Sequence, residues 1–150
     1  MFFQFEADFV ESLRCIPMEV RMKLDTCGVK LKLQHWHQFN AQERETLVIM
    51  SCSTENEVQE YRDYLQHLVI QYNEQPAKDL VIAEHPPWEN STTIPIEIQS
   101  KAEEFEATLT PQQWEHLTPV QRFALIKLSR PSHENKNFLP ALKEFGLVVD

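Results

Sequence analysis

Glycine is almost missing from this chain, with two residues in 150. Rossmann units, phosphate-binding loops and all-β chains of tight hairpins each spend glycine at fixed places, so all three are disfavoured. Cysteine is nearly as scarce. Cys15, Cys27 and Cys52 are odd in number and widely spaced, which fits a reducing compartment and neither a disulfide framework nor a zinc ribbon. Positive charge is in deficit, 14 Lys plus Arg against 23 Asp plus Glu, for a formal net charge of −9. That balance argues against a nonspecific binder of nucleic acid or of anionic membranes. No apolar run approaches the roughly 20 residues that span a bilayer. The opening Met1-Phe2-Phe3-Gln4-Phe5 meets Glu6 and Asp8 at once and lacks a basic leader, so no secretory signal is expected. A cytoplasmic protein is the expectation.

What remains is globular composition, 42% hydrophobic and 25% charged. The expected fold is mainly α: one compact domain over residues 1–150, a bundle of roughly six to eight helices, several of them short. Phe5, Phe9, Leu13 and Ile16 mark a first helix over about 5–15. The stretch 18–33 reads two ways. Pro17 opens and Gly28 closes a helix carrying Val20, Leu24 and Cys27, yet Met18, Val20, Met22 and Leu24 also alternate as one arm of a small β-hairpin. Helix-forming Met, Glu, Arg, Lys and Leu favour the first.

Farther on, Asn40 with Glu43 and Thr54 with Glu57 are capping-box pairs. The second opens the longest helix, striped by Val58, Tyr61, Leu65, Leu68 and Tyr72. Residues 74–93 lose periodicity around Pro76, Pro86 and Pro87 and read as a surface loop, with an extended piece at Leu80-Val81-Ile82. A helix is expected over Pro95–Leu109. Thr110-Pro111-Gln112-Gln113 and Thr118-Pro119-Val120-Gln121 are two near-identical start signals, the second opening an all-round apolar helix suited to the centre of the core. A last helix from about Asn137 should stop at Gly146.

One echo runs through the chain. Residues 36–47 lie over 114–125 at a constant offset of 78, aligning Trp36 with Trp114, Arg44 with Arg122 and Leu47 with Leu125. Either a duplication or independent convergence on a helix–cap–helix corner accounts for it.

Candidate chemistry is sparse. The chain has no G-x-S-x-G, no H-E-x-x-H and no Gly-rich phosphate loop, so no catalytic, cofactor or metal residue is assigned. The alternative is a small independent enzyme or metal-binding protein using Cys15, Cys27, His35 and His37, soft ligands whose spacing is wrong for a zinc finger. Arg14 beside Cys15 would favour a thiolate there. For partner binding, Arg14, Arg21, Lys23, Lys30 and Lys32 gather in the first third against the acidic balance, a positive face for an acidic partner or simply a wetted surface. Trp88, in His85-Pro86-Pro87-Trp88-Glu89, is either an exposed anchor held on a stiff turn or a ring folded back over the core. Arg14, Arg21, Lys23, Lys30 and Trp88 form the candidate partner-binding set.

The block from Phe5 through Pro17-Met18 to Gly28-Val29-Lys30-Leu31 resembles the nitrate-reductase-associated protein family of cyanobacteria and some other bacteria. Trp36, Glu43-Arg44, Tyr61-Arg62-x-Tyr64-Leu65 and Gln113-Trp114 with Gln121-Arg122-Phe123-Ala124-Leu125 are similar too. The resemblance implies a non-enzymatic accessory protein. It would bind assimilatory nitrate reductase or its maturation machinery and support assembly, cofactor insertion or stability, in a chaperone-like role. It supplies no catalytic, cofactor or metal site to carry over.

Overall fold

The computed structural model describes residues 2–131 and 135–148. It is mainly helical, as expected, with nine α-helices and one two-stranded antiparallel ribbon among those residues. Its packing forms two compact units, Met1–Phe2 with Ala7–Glu84 and Phe3–Glu6 with His85–Asp150.

The first unit holds α1 (Ala7–Glu11), α2 (Met18–Cys27), β1 (Val29–Lys30), α3 (Leu33–Gln38), α4 (Ala41–Ile49), α5 (Glu55–Asn73) and β2 (Lys78–Asp79). The helix reading of 18–27 holds. Gly28 ends α2 at φ +73°, donating its N–H to Leu24 O at 2.9 Å. Glycine is required there twice over, because a Cβ would also lie 2.7 Å from the Ile82 side chain. The hairpin alternative over 18–33 is corrected. Val29 and Lys30 do form a strand, but it pairs with Asp79 and Lys78 from far along the chain. The extended piece of the 74–93 segment is therefore Lys78–Asp79, two residues before the expected Leu80. Leu80 N–H donates to Gly28 O, and Arg62 on α5 donates to Cys27 O, Gly28 O and the Asp79 carboxylate, clamping the ribbon.

Both capping boxes form. Asn40 and Glu43 exchange bonds of 2.8 and 2.9 Å, and Thr54 and Glu57 of 3.2 and 3.0 Å. The core gathers Val20, Leu24, Trp36, Phe39, Leu47, Tyr61 and Leu65, with the Tyr61 hydroxyl donating to Leu47 O at 2.7 Å. Tyr72, at the end of the stripe, stays exposed and donates to Glu43 instead.

The second unit holds a 3₁₀ turn (Pro87–Glu89), α6 (Ile96–Glu103), α7 (Pro111–His116), α8 (Pro119–Ser129), a 3₁₀ turn (Asn135–Asn137) and α9 (Phe138–Glu144). Helix α8 buries Phe123, Ala124, Leu125, Ile126 and Leu128 and packs against α6, α9 and both turns, which is the central position its sequence suggests. Both Thr-Pro start signals form reciprocal caps.

Two helices are shorter than their apolar spacing predicts. Helix α1 stops at Glu11 because Leu13 takes a left-handed φ of 60°, with Arg14 N–H reaching Phe9 O at 2.7 Å. Helix α6 stops at Glu103 because Glu106 does the same at φ 58°, with Ala107 N–H reaching Ala102 O at 3.0 Å. Each is a Schellman stop without glycine, so nothing in the residue types marked it. Gly146, at φ +73°, closes α9 where a glycine stop was expected.

The two corners at 36–47 and 114–125 share their internal geometry. Phe39 N–H meets Trp36 O and Leu117 N–H meets Trp114 O, each at 3.2 Å. Arg44 donates to Phe39 O, and Arg122 to Leu117 O. The match extends to elements the sequence did not pair: α2 and α6 both follow a proline, and α3 and α7 are both six residues long.

Candidate partner-binding surfaces

The candidate residues fare differently. Arg14 and Lys30 are exposed, and Arg21 is half-buried with Nη1 3.8 Å from Met18 Sδ. Lys23 is not a surface charge. It is 8% exposed, donates from Nζ to Val48 O at 2.5 Å, lies 3.8 Å from Glu19 and sits 5.7 Å from the Tyr61 ring centre. Burial pushes its pKa below the usual lysine value, with Glu19 opposing. An ammonium so occupied is a structural link between α2 and the end of α4.

Trp88 is corrected as well. The ring is 8% exposed, edge-on to Phe123 with centroids 5.0 Å apart, so the folded-back alternative is the one realised. The stiff Pro-Pro turn delivers the ring inward.

The alternative ligand set of Cys15, Cys27, His35 and His37 is not assembled. Cys27 lies in the core, its thiol pushed up to about 12 chiefly by burial. His35 Nδ1 accepts from Lys32 N–H at 3.1 Å as part of the α3 cap, and His37 Nε2 meets Leu13 O. Burial and Lys32 both lower the His35 pKa. No three His, Cys, Asp or Glu side chains among the described residues could hold one metal ion, and none of the three cysteines is in a disulfide.

Two surfaces of the first unit stand out instead. On the ribbon, Lys30 and Lys78 face each other across the ladder, both exposed, and Val81 just beyond is 99% exposed. Like charges set opposite are unfavourable within a protein alone, so an incoming carboxylate would relieve them. Lys78 escaped sequence reasoning because its neighbour is set by a strand pairing, and only Lys30 lay in the basic first third. The second surface is an apolar groove of about 460 Å³ between α1 and α4, floored by Trp36 and walled by Phe2, Val10, Leu13, Val48 and Ile49.

The sequence pattern of the conserved nitrate reductase-associated protein family matches residues 2–145. The chain belongs to this family. No curated protein and no solved structure matches it. The family's description names an association with nitrate reductase, and no helix among the described residues is long and apolar enough to cross a membrane.

Proposed function

We propose that this protein is a non-enzymatic accessory factor. It binds assimilatory nitrate reductase or its maturation machinery in the cytoplasm and supports assembly, cofactor insertion or stability of the enzyme. The family match over nearly the whole chain carries this reading. The ribbon gives it a physical form: Lys30 and Lys78 orient an acidic partner, and Val81 beside them offers apolar area to bury. Arg14 and Arg21 add positive charge elsewhere on the same unit.

The experiment is capture of partners by the tagged protein from its native cell extract, joined to reductase activity and cofactor content in cells lacking it. Recovery of the reductase or its maturation factors is expected, with reductase activity reduced in the deletion. Reductase polypeptide accumulating without its cofactor would point to insertion. Capture that never recovers these proteins, with normal activity in the deletion, would discard the reading. Charge reversal of Lys30 and Lys78 should weaken capture and flatten its salt dependence while leaving the helical fold intact. Unchanged capture would move the interface, with Arg14 and Arg21 the next pair to reverse.

A further inference from the structure

The groove in the first unit has a counterpart in the second, 78 positions later, and there a pair of aromatic rings stands in contact. Val10, Glu45 and Val48 correspond to Trp88, Phe123 and Ile126. In the second unit the Trp88 ring meets Phe123 edge-on. The first unit has neither ring at these positions, and the aromatic that walls the groove above Trp36 is Phe2, from the start of the chain. An aliphatic side chain and a carboxylate stand in their places, and about 460 Å³ remains open.

A polar difference accompanies the missing rings. Trp114 donates its Nε1–H to Asn90 O at 2.8 Å, two residues beyond Trp88. Its counterpart Trp36, on the groove floor and 1% exposed, has a buried Nε1 with no hydrogen-bond partner. Buried indole N–H groups ordinarily find an acceptor, and an orphan of this kind signals a missing one. The void and the orphan donor match the ring and the carbonyl of one short segment.

The rim sets the charge of whatever enters. Glu45 and Glu11 both line the groove, both are exposed, and neither has a partner among the described residues. The nearby Arg44 spends one guanidinium nitrogen on Phe39 O. An apolar floor under an acidic rim suits an aromatic ring next to a cation.

We propose that this groove docks an extended segment of a partner protein carrying one aromatic residue beside a lysine or arginine. The ring seats between Val10 and Val48 over Trp36. The carbonyl two residues on accepts from Trp36 Nε1, and the basic side chain meets Glu45 and Glu11. This goes beyond the reductase reading and does not depend on which protein supplies the segment. Because the Trp36 N–H is covered while the groove is empty, seating the segment must move wall side chains, so the indole resonance reports occupancy.

The test titrates ¹⁵N-labelled full-length protein with a synthetic peptide copying residues 85–93 and carrying Glu89→Lys. The Trp36 indole N–H resonance should shift and saturate. A peptide that also carries Trp88→Ala should bind about tenfold more weakly or worse, as removal of an anchor ring does. In the protein, Val10→Trp should fill the groove and weaken binding about as much. Glu45→Lys, an exposed substitution that spares the core, should weaken the lysine peptide and favour the unsubstituted Glu89 peptide. An unmoved indole at millimolar peptide, or binding indifferent to both Glu45→Lys and Val10→Trp, overturns the proposal. So does self-association that Val10→Trp abolishes, since the occupant would then be a second copy. The titration uses purified components, so it can succeed where partner capture fails, and the two readings fall separately.

Discussion

Replacing Trp88 by alanine tests whether the proline-rich turn belongs to the core of its unit. The indole is 8% exposed and makes its ring contact with Phe123 at 5.0 Å, at an interplanar angle of 83°. A buried aromatic of this size removes about 200 Å² from water, worth about 5 kcal/mol at 25 cal/mol per Å². Residual burial in the unfolded chain lowers that by about 10–40%, to about 3–4.5 kcal/mol. The edge-to-face pair adds about 0.5–1.5 kcal/mol, and partial collapse around the truncated site takes some back. The expected loss is therefore about 3–5 kcal/mol. Urea denaturation followed by far-UV circular dichroism measures it, provided the m-value of the variant is unchanged. A cycle of Trp88→Leu, Phe123→Leu and the pair keeps apolar packing while removing the rings, and should show a coupling of about 0.5–1.5 kcal/mol. A loss below about 1 kcal/mol for Trp88→Ala would mean the turn is a surface appendage, and the comparison that defines the groove would fall with it.

Left-handed stops give a second pair of expectations. Gly28→Ala should destabilise by about 1–3 kcal/mol through strain and its approach to Ile82, whereas Glu106→Gly, relieving φ 58° at an exposed position, should be neutral or stabilising by up to about 1 kcal/mol; thermal denaturation ranking them the other way refutes the assignment. Alkaline pH gives a third. Burial raises the Cys27 thiol to about 12 and the Cys52 thiol to about 11, above the ordinary value of 9.0. Between those values the unfolded chain loses protons that the folded one keeps, so stability should fall as pH rises from 9 towards 11, and replacing both cysteines by alanine should flatten that slope. A slope indifferent to the substitutions would mean the thiols are more accessible than their burial indicates.

Much of this fold is local and was legible in the residues. A capping box closes within three residues, so Asn40–Glu43, Thr54–Glu57, Thr110–Gln113 and Thr118–Gln121 can be read in the sequence and recur as bonds. The echo between 36–47 and 114–125 is likewise local, since each Trp, cap and Arg is fixed by its own corner. Tertiary structure decided the rest, because those features depend on neighbours remote in sequence. The alternation over 18–33 offered Val29–Lys30 the wrong strand partner, the Met18–Leu24 arm. The real partner, Lys78–Asp79, lies far along the chain, and a two-residue ladder leaves too little pattern to find it. Lys23 lost its place among the surface charges because the Val48 carbonyl lies within its reach. Helices α1 and α6 stop where Leu13 and Glu106 adopt a conformation that glycine usually marks, so composition could not announce either end. The groove needed both units to be seen, because its meaning is a difference: Trp88 and Asn90 supply a ring and a carbonyl in one, and the matching space and indole N–H stay unfilled in the other. Residue types fix what hydrogen bonds can close within a turn or two of chain; which side chains are left without a partner is settled only when distant segments pack.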